Sequence, residues 1–265
     1  MQYQLGFIGC GNMGGALVQA CAKRVDGKKI ALCDFMPEKA TALAEKIGGS
    51  VLSAREIAEK CAFVVLGVKP QNIESTIAEI ADVLTARRDV TVISMAVSIS
   101  TSAIQKYIGK ALPVVRIMPN TPALVGEGMI LYATKDVDER AEKAFLDDFS
   151  LAGTLDKLEE DLIDPASALS GCGPAFVYAF AEALANGAVK CGVPKDKAVL
   201  YASQTIKGAG EMLLTFGDPS ALKKAVCSPN GTTLAGIKAL EENDFERVSE
   251  SAVLGAYKRA LELKK

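Results

Sequence analysis

Leu5-Gly6-Phe7-Ile8-Gly9-Cys10-Gly11-Asn12-Met13-Gly14 decides the fold of this chain. Its first four residues read as a buried parallel strand, and the remainder is a G-x-G-x-x-G loop that opens directly into a helix. Residues 15–24 then carry one apolar face at helical spacing. Each glycine has its own task in that setting. Gly9 makes the tight turn, Gly11 lets the backbone approach a pyrophosphate, and Gly14 allows close packing of helix on strand. The helix N-terminus offers unpaired N–H groups to the anion. A second strand, 29–33, ends at Asp34, about 20 residues beyond Gly14, where a carboxylate meets the adenosine ribose. The expected fold is α/β, opening with a Rossmann-type dinucleotide-binding domain.

Working outward, short apolar runs alternate with helical segments up to about residue 155. Strands are expected at 51–52, 62–68, 90–94 and 112–117, with 128–133 and 154–155 as edge strands flanking a helix over 138–150. Helices are expected over 37–47, after Ser53 as N-cap, and from Pro70 to about Ala86. This alternation implies a parallel sheet with right-handed crossovers. From about Glu160 only helices remain. Asp164-Pro165 and Asp218-Pro219 read as helix starts, and helices are expected over 175–189, 198–214, 232–242 and 244–263. The expected domains are 1–159, binding dinucleotide, and 160–265, all-helical. The segment 175–189 is apolar around most of its circumference, which calls for burial on more than one side and predicts a homo-oligomer built through this half.

Charge and composition exclude several classes. Thirty basic and 32 acidic residues nearly cancel, so neither nucleic acid nor an anionic membrane is an expected partner. The apolar runs are strand-sized rather than membrane-sized, and no secretory leader is evident. Seven cysteines without a C-x-x-C pair fit reduced thiols in the cytoplasm and no metal site. The chain has no histidine. Any proton transfer must therefore come from Lys, Tyr, Thr, a carboxylate, solvent or the substrate itself.

Ligands of open α/β sheets bind beyond the carboxyl ends of the strands. Besides Ile8, Gly9, Cys10, Gly11, Asn12, Met13 and Asp34, that position holds Gly67-Val68-Lys69-Pro70, Ser94-Met95-Ala96 and Asn120 of the Pro119–Pro122 turn. Short side chains at 94 and 96 suit a flat ring, and Asn120 suits a polar contact to the nicotinamide. In the helical half, a turn at Pro229-Asn230-Gly231 feeds a helix opened by Thr232-Thr233. This is either an anion site or a simple helix cap.

Five segments in order make a resemblance specific: 6–14, Val68-Lys69-Pro70, Arg116–Pro122, Leu169–Ala175 and Ser228–Thr233. Together they resemble pyrroline-5-carboxylate reductase, across essentially the whole chain. The resemblance implies NADPH or NADH as cofactor, a cyclic imine as substrate, and dimers assembled through the helical half into larger rings, often decamers. It also implies that Ser228, Gly231 and Thr232 hold the substrate carboxylate and that Thr233, the candidate catalytic residue, hydrogen-bonds the ring nitrogen. Two positions depart from the family's usual pattern: Asn230 replaces a glycine and Cys172 a serine. Asn tolerates a left-handed backbone better than other non-glycine residues, so the loop is expected to survive. Asp34 leans to NADH, the family to NADPH. The rival readings are a dinucleotide-binding redox sensor and a hydroxyacid dehydrogenase. The second would need a helix lysine with an asparagine four residues on, whereas Lys190 here is followed by the helix-ending Cys191-Gly192.

Overall fold

The computed structural model describes residues 2–263. In chain order it comprises β1 (Tyr3–Ile8), α1 (Asn12–Cys21), β2 (Ile30–Cys33), α2 (Pro37–Ile47), β3 (Ser50–Val51), α3 (Ala54–Lys60) and β4 (Cys61–Leu66). There follow α4 (Ile73–Ala78), α5 (Ala81–Ala86), β5 (Thr91–Ser94), α6 (Thr101–Ile108), β6 (Val114–Met118), β7 (Gly128–Lys135), α7 (Glu139–Phe149) and β8 (Gly153–Lys157). The rest is helical: α8 (Glu160–Ser170), α9 (Gly173–Lys190), α10 (Lys195–Phe216), α11 (Pro219–Val226), α12 (Thr232–Glu242) and α13 (Phe245–Leu263). Two compact units result, Met1–Cys172 with Ala256–Lys265, and Gly173–Gly255.

The first unit is one sheet in the order β3-β2-β1-β4-β5-β6-β7-β8, with the 3-2-1-4 arrangement of a dinucleotide-binding fold. Strand alternation sends Phe63 and Val65 to one face and Val64 and Leu66 to the other. Each face therefore has its own core. One gathers Leu5, Phe7 and Leu17 with Phe145 and Phe149, and the other gathers Ile57, Ile73, Ile77 and Ile104.

Four expectations need correction. The sheet is not wholly parallel, because β7 runs antiparallel to β6, its short connection leaving no room for a crossover helix. Nor is β7 an edge, since it lies between β6 and β8; the edges are β3 and β8. The helix expected from Pro70 to Ala86 is broken into a 3-10 turn at Pro70–Asn72, then α4 and α5, with the wholly buried Ile80 at the break. Finally, Asp164-Pro165 does not start a helix. Pro165 lies inside α8, and Asp164 is buried against Arg116. Because α8 packs Ile163 onto Met118 and Leu131 of the sheet, the first compact unit runs on past residue 159 to Cys172.

Two expected caps are present. Asp218 accepts from the Ser220 and Ala221 N–H groups at the start of α11. Ser53 and Glu56 form a capping box on α3. The Glu56 carboxyl is held down to about 2 by the Lys60 ammonium first, then by the Ser53 amide and hydroxyl. A folded-state value below the unfolded one gives stability that is present above the ordinary carboxyl range and lost as pH falls through it. Glu56→Gln is thus expected to melt lower than the parent at about pH 7, with the gap closing as pH falls toward 2. Thermal melts across that range check this; a gap that persists in acid contradicts it.

The second unit has little core of its own. Its buried cluster is Ala185, Ala198 and Ala202, where α9 packs on α10. Tyr178, Leu200, Tyr201 and Phe216 are left exposed. By length and composition alone, the stretch Glu160–Lys190, which holds an 18-residue window of mean hydropathy 1.3, could cross a membrane. It is however broken at Gly171-Cys172 between α8 and α9. An exposed apolar surface of this kind marks an interaction site.

Candidate active site

The carboxyl ends of β1, β2, β4 and β5 bring most of the expected cofactor residues together. Hydrogen bonds tie these ends to one another: Gly9 N–H to the Cys33 carbonyl (2.8 Å), Gly67 N–H to that of Ile8 (2.8 Å), and Met95 N–H to that of Leu66 (3.3 Å). Gly9 has φ 109°, and a Cβ there would lie 2.5 Å from the Gly67 carbonyl carbon. A Cβ on Gly14 would lie 2.2 Å from the Gly9 oxygen, so only glycine lets α1 start this close beneath the turn.

Gly11 differs from both, since a Cβ there would meet nothing within 4 Å. The chain's own packing therefore does not require glycine at this position, whereas close approach by a ligand does. Gly11 is also the N-cap of α1, which has no side-chain cap and no acidic residue in its first turn. These features fit a dinucleotide pyrophosphate, with the free N–H groups of α1 as its donors.

Asp34 stands at the end of β2, with its Oδ2 accepting the Cys10 N–H at 2.6 Å and its Oδ1 the Met36 N–H at 2.9 Å. Cys10 itself is a packing residue. Burial, then the neighbouring Asp34, pushes its thiol up to about 12. Ser94 and Ala96 are buried, and Ser94 Oγ accepts the Ala96 N–H, so half-buried Met95 is the side chain left at this strand end. Asn120 is engaged within the fold. Its Nδ2 donates to the Ser170 carbonyl and its Oδ1 accepts the Met129 N–H, both at 2.9 Å. It ties the turn after β6 to the end of α8.

Ser228, Gly231, Thr232 and Thr233 lie in the second unit. The Gly231 N–H bonds back to the Ser228 carbonyl at 3.0 Å, and Asn230 has φ 58°. Pro at the second position and a positive φ at the third make a type II turn, for which Asn is the usual substitute for glycine. The turn thus survives the departure at 230. Gly231 is the N-cap of α12, and no side chain caps the helix. Of the two readings open from sequence, the simple ST-type cap is therefore absent and the amides at this helix start remain available to an anion.

Sequence reasoning passed over one cluster. Arg116, on β6, is buried and pairs with the buried Asp164 at 2.5 Å and with Glu160 at 3.7 Å. Glu160 in turn accepts the Thr101 N–H at 2.7 Å and its hydroxyl at 2.8 Å, at the start of α6. The signal was a lone arginine in the apolar run 112–117.

Comparison with known proteins bears on both units. A family model described as pyrroline-5-carboxylate reductase dimerisation matches residues 160–263, and one described as NADP oxidoreductase, coenzyme F420-dependent, matches residues 4–98. The pyrroline-5-carboxylate reductase of Escherichia coli is 34% identical over 99% of this chain and 97% of its own length. That of Methanosarcina acetivorans is 36% identical over 99% and 98%. Among solved structures, a pyrroline-5-carboxylate reductase from Coxiella burnetii superposes with a TM-score of 0.90 at 34% identity, covering 100% of both chains. The Plasmodium falciparum pyrroline carboxylate reductase, solved with NADP bound, gives 0.88 at 31% identity, again covering 100% of both.

Proposed function

The chain belongs to the pyrroline-5-carboxylate reductase family, and we propose from that premise that it reduces 1-pyrroline-5-carboxylate to L-proline with NAD(P)H, the last step of proline synthesis. When bound, the reduced nicotinamide supplies the hydride. The chain's own residues bind and orient. The α1 amides and the Gly9–Gly14 loop hold the pyrophosphate, while Asp34 accepts from the ribose. Ser228, Gly231 and Thr232 hold the substrate carboxylate at the start of α12, and the Thr233 hydroxyl bonds the ring nitrogen. The uncapped start of α12 carries this reading, because it offers an anion donors that nothing in its own helix consumes.

In this reading the imine is already protonated when it binds, so the absence of histidine deprives no step of a strong enzymatic acid. A protonated imine is already electrophilic at carbon, so positioning is the principal catalytic task.

In this reading residues 1–159 form the dinucleotide domain, and 160–265 the substrate-binding and oligomerisation domain. The exposed apolar faces of α9 and α10 supply the surface for dimers that assemble into decamers, and the enzyme works in the cytoplasm. The test is a steady-state assay following NADH and NADPH separately, with and without the imine. Imine-dependent oxidation yielding proline is expected. Cofactor binding without turnover on any imine would favour a sensor instead.

A further inference from the structure

We propose that Asp34 and Phe35 set the cofactor preference of this chain toward NADH, Asp34 by excluding a 2′-phosphate and Phe35 by providing a platform for the adenine. The inference rests on the cofactor reading above and deepens it.

Three observations carry it. First, Asp34 is fixed rather than mobile. Backbone N–H groups at 2.6 and 2.9 Å, one from the loop before α1 and one from the strand end itself, hold its two oxygens. Each oxygen keeps a further lone pair, enough to accept from ribose hydroxyls. A carboxylate that cannot swing away meets a 2′-phosphate as a like charge in place.

Second, no cation follows to offset it, since the next residues are Phe35, Met36 and Pro37. Lys39 and Lys46 do line a cavity of about 520 Å³ along α1 and α2, but they share it with Gly11 and Asn12 of the phosphate loop. They therefore neighbour the loop assigned to the pyrophosphate common to both dinucleotides, and Lys46 is already bonded to the Gln19 side chain.

Third, Phe35 is 101% exposed. It packs on nothing among the described residues, yet it directly follows the residue assigned to the ribose. A flat apolar ring at this edge has the chemistry to stack a purine, and stacking is indifferent to the 2′ position. The two residues therefore make separable predictions: Asp34 controls the ratio of affinities, and Phe35 controls both affinities together.

The experiment is calorimetric titration of the full-length protein with NADH and NADPH in the absence of imine, for the parent, Asp34→Asn and Phe35→Ala. The parent is expected to bind NADH roughly ten-fold or more tighter than NADPH. Asp34→Asn keeps an acceptor oxygen for the Cys10 N–H while removing the charge, and should narrow that ratio by tightening NADPH. Phe35→Ala should weaken both dinucleotides roughly five-fold or more and leave their ratio unchanged. Equal or tighter NADPH binding by the parent overturns the Asp34 role while leaving the reductase reading intact. Unchanged affinities in Phe35→Ala overturn the platform. Failure of the folded parent to bind either dinucleotide overturns this proposal together with the cofactor reading beneath it.

Discussion

Replacing Arg116 with alanine is expected to lower the stability of the fold by about 3–5 kcal/mol. The reason is desolvation rather than lost contact area. Arg116 and Asp164 are only 3% and 2% exposed, and their charges meet at 2.5 Å. Truncating the arginine leaves the carboxylate in a low-dielectric interior without the guanidinium that offsets its desolvation, and such groups cost several kcal/mol. Glu160 loses its cation at the same time, although it keeps the Thr101 amide and hydroxyl. The check is chemical denaturation of the parent, Arg116→Ala, and the double variant Arg116→Met with Asp164→Leu. Removing both charges and restoring apolar volume should recover most of the loss, because a buried ion pair is worth little against a well-packed apolar replacement. A single variant within about 1 kcal/mol of the parent, or a double variant no better than the single, would refute the account.

The same cluster shows where the sequence stops being readable. The dinucleotide half was legible because its determinants are local. The loop at 9–14, the carboxylate at 34 and the caps at Ser53 and, in the helical half, Asp218 act within a few residues of where they stand, and each took its expected place in the fold. The turn at 228–231 was legible for the same reason, down to the left-handed Asn230. What escaped depends on partners far along the chain. Asp164 looks like a helix cap until Arg116, 48 residues earlier, is seen to claim it. Asn120 looks like a ligand contact until the Ser170 carbonyl and the Met129 amide take its side chain. The antiparallel β7 was hidden because local pattern does not encode pairing direction. Among the candidate site residues, backbone positions at helix starts and turns were readable. Polar side chains reserved for tertiary pairing were not.

Replacing Thr233 with alanine is expected to reduce kcat/KM for the imine by roughly 10- to 100-fold, the value of about 1.5–3 kcal/mol for a hydrogen bond to a charged group. Thr233 occupies the second position of α12, whose start carries no side-chain cap, so its hydroxyl has no structural duty there to confound the result. Dinucleotide affinity should stay at the parent value, because the Gly9–Gly14 loop and Asp34 belong to the other compact unit. Thr233→Ser retains the hydroxyl and should keep most of the activity; Thr233→Val retains the shape and should not. The pH profile supplies an independent readout. With no histidine in the chain to donate a proton, the profile should follow protonation of the substrate nitrogen. The alanine variant should therefore lower the whole curve without moving its inflection. Unchanged turnover and KM in Thr233→Ala would remove Thr233 from the mechanism. A displaced inflection would mean that its hydroxyl takes part in the proton's delivery rather than in holding an imine that is already charged.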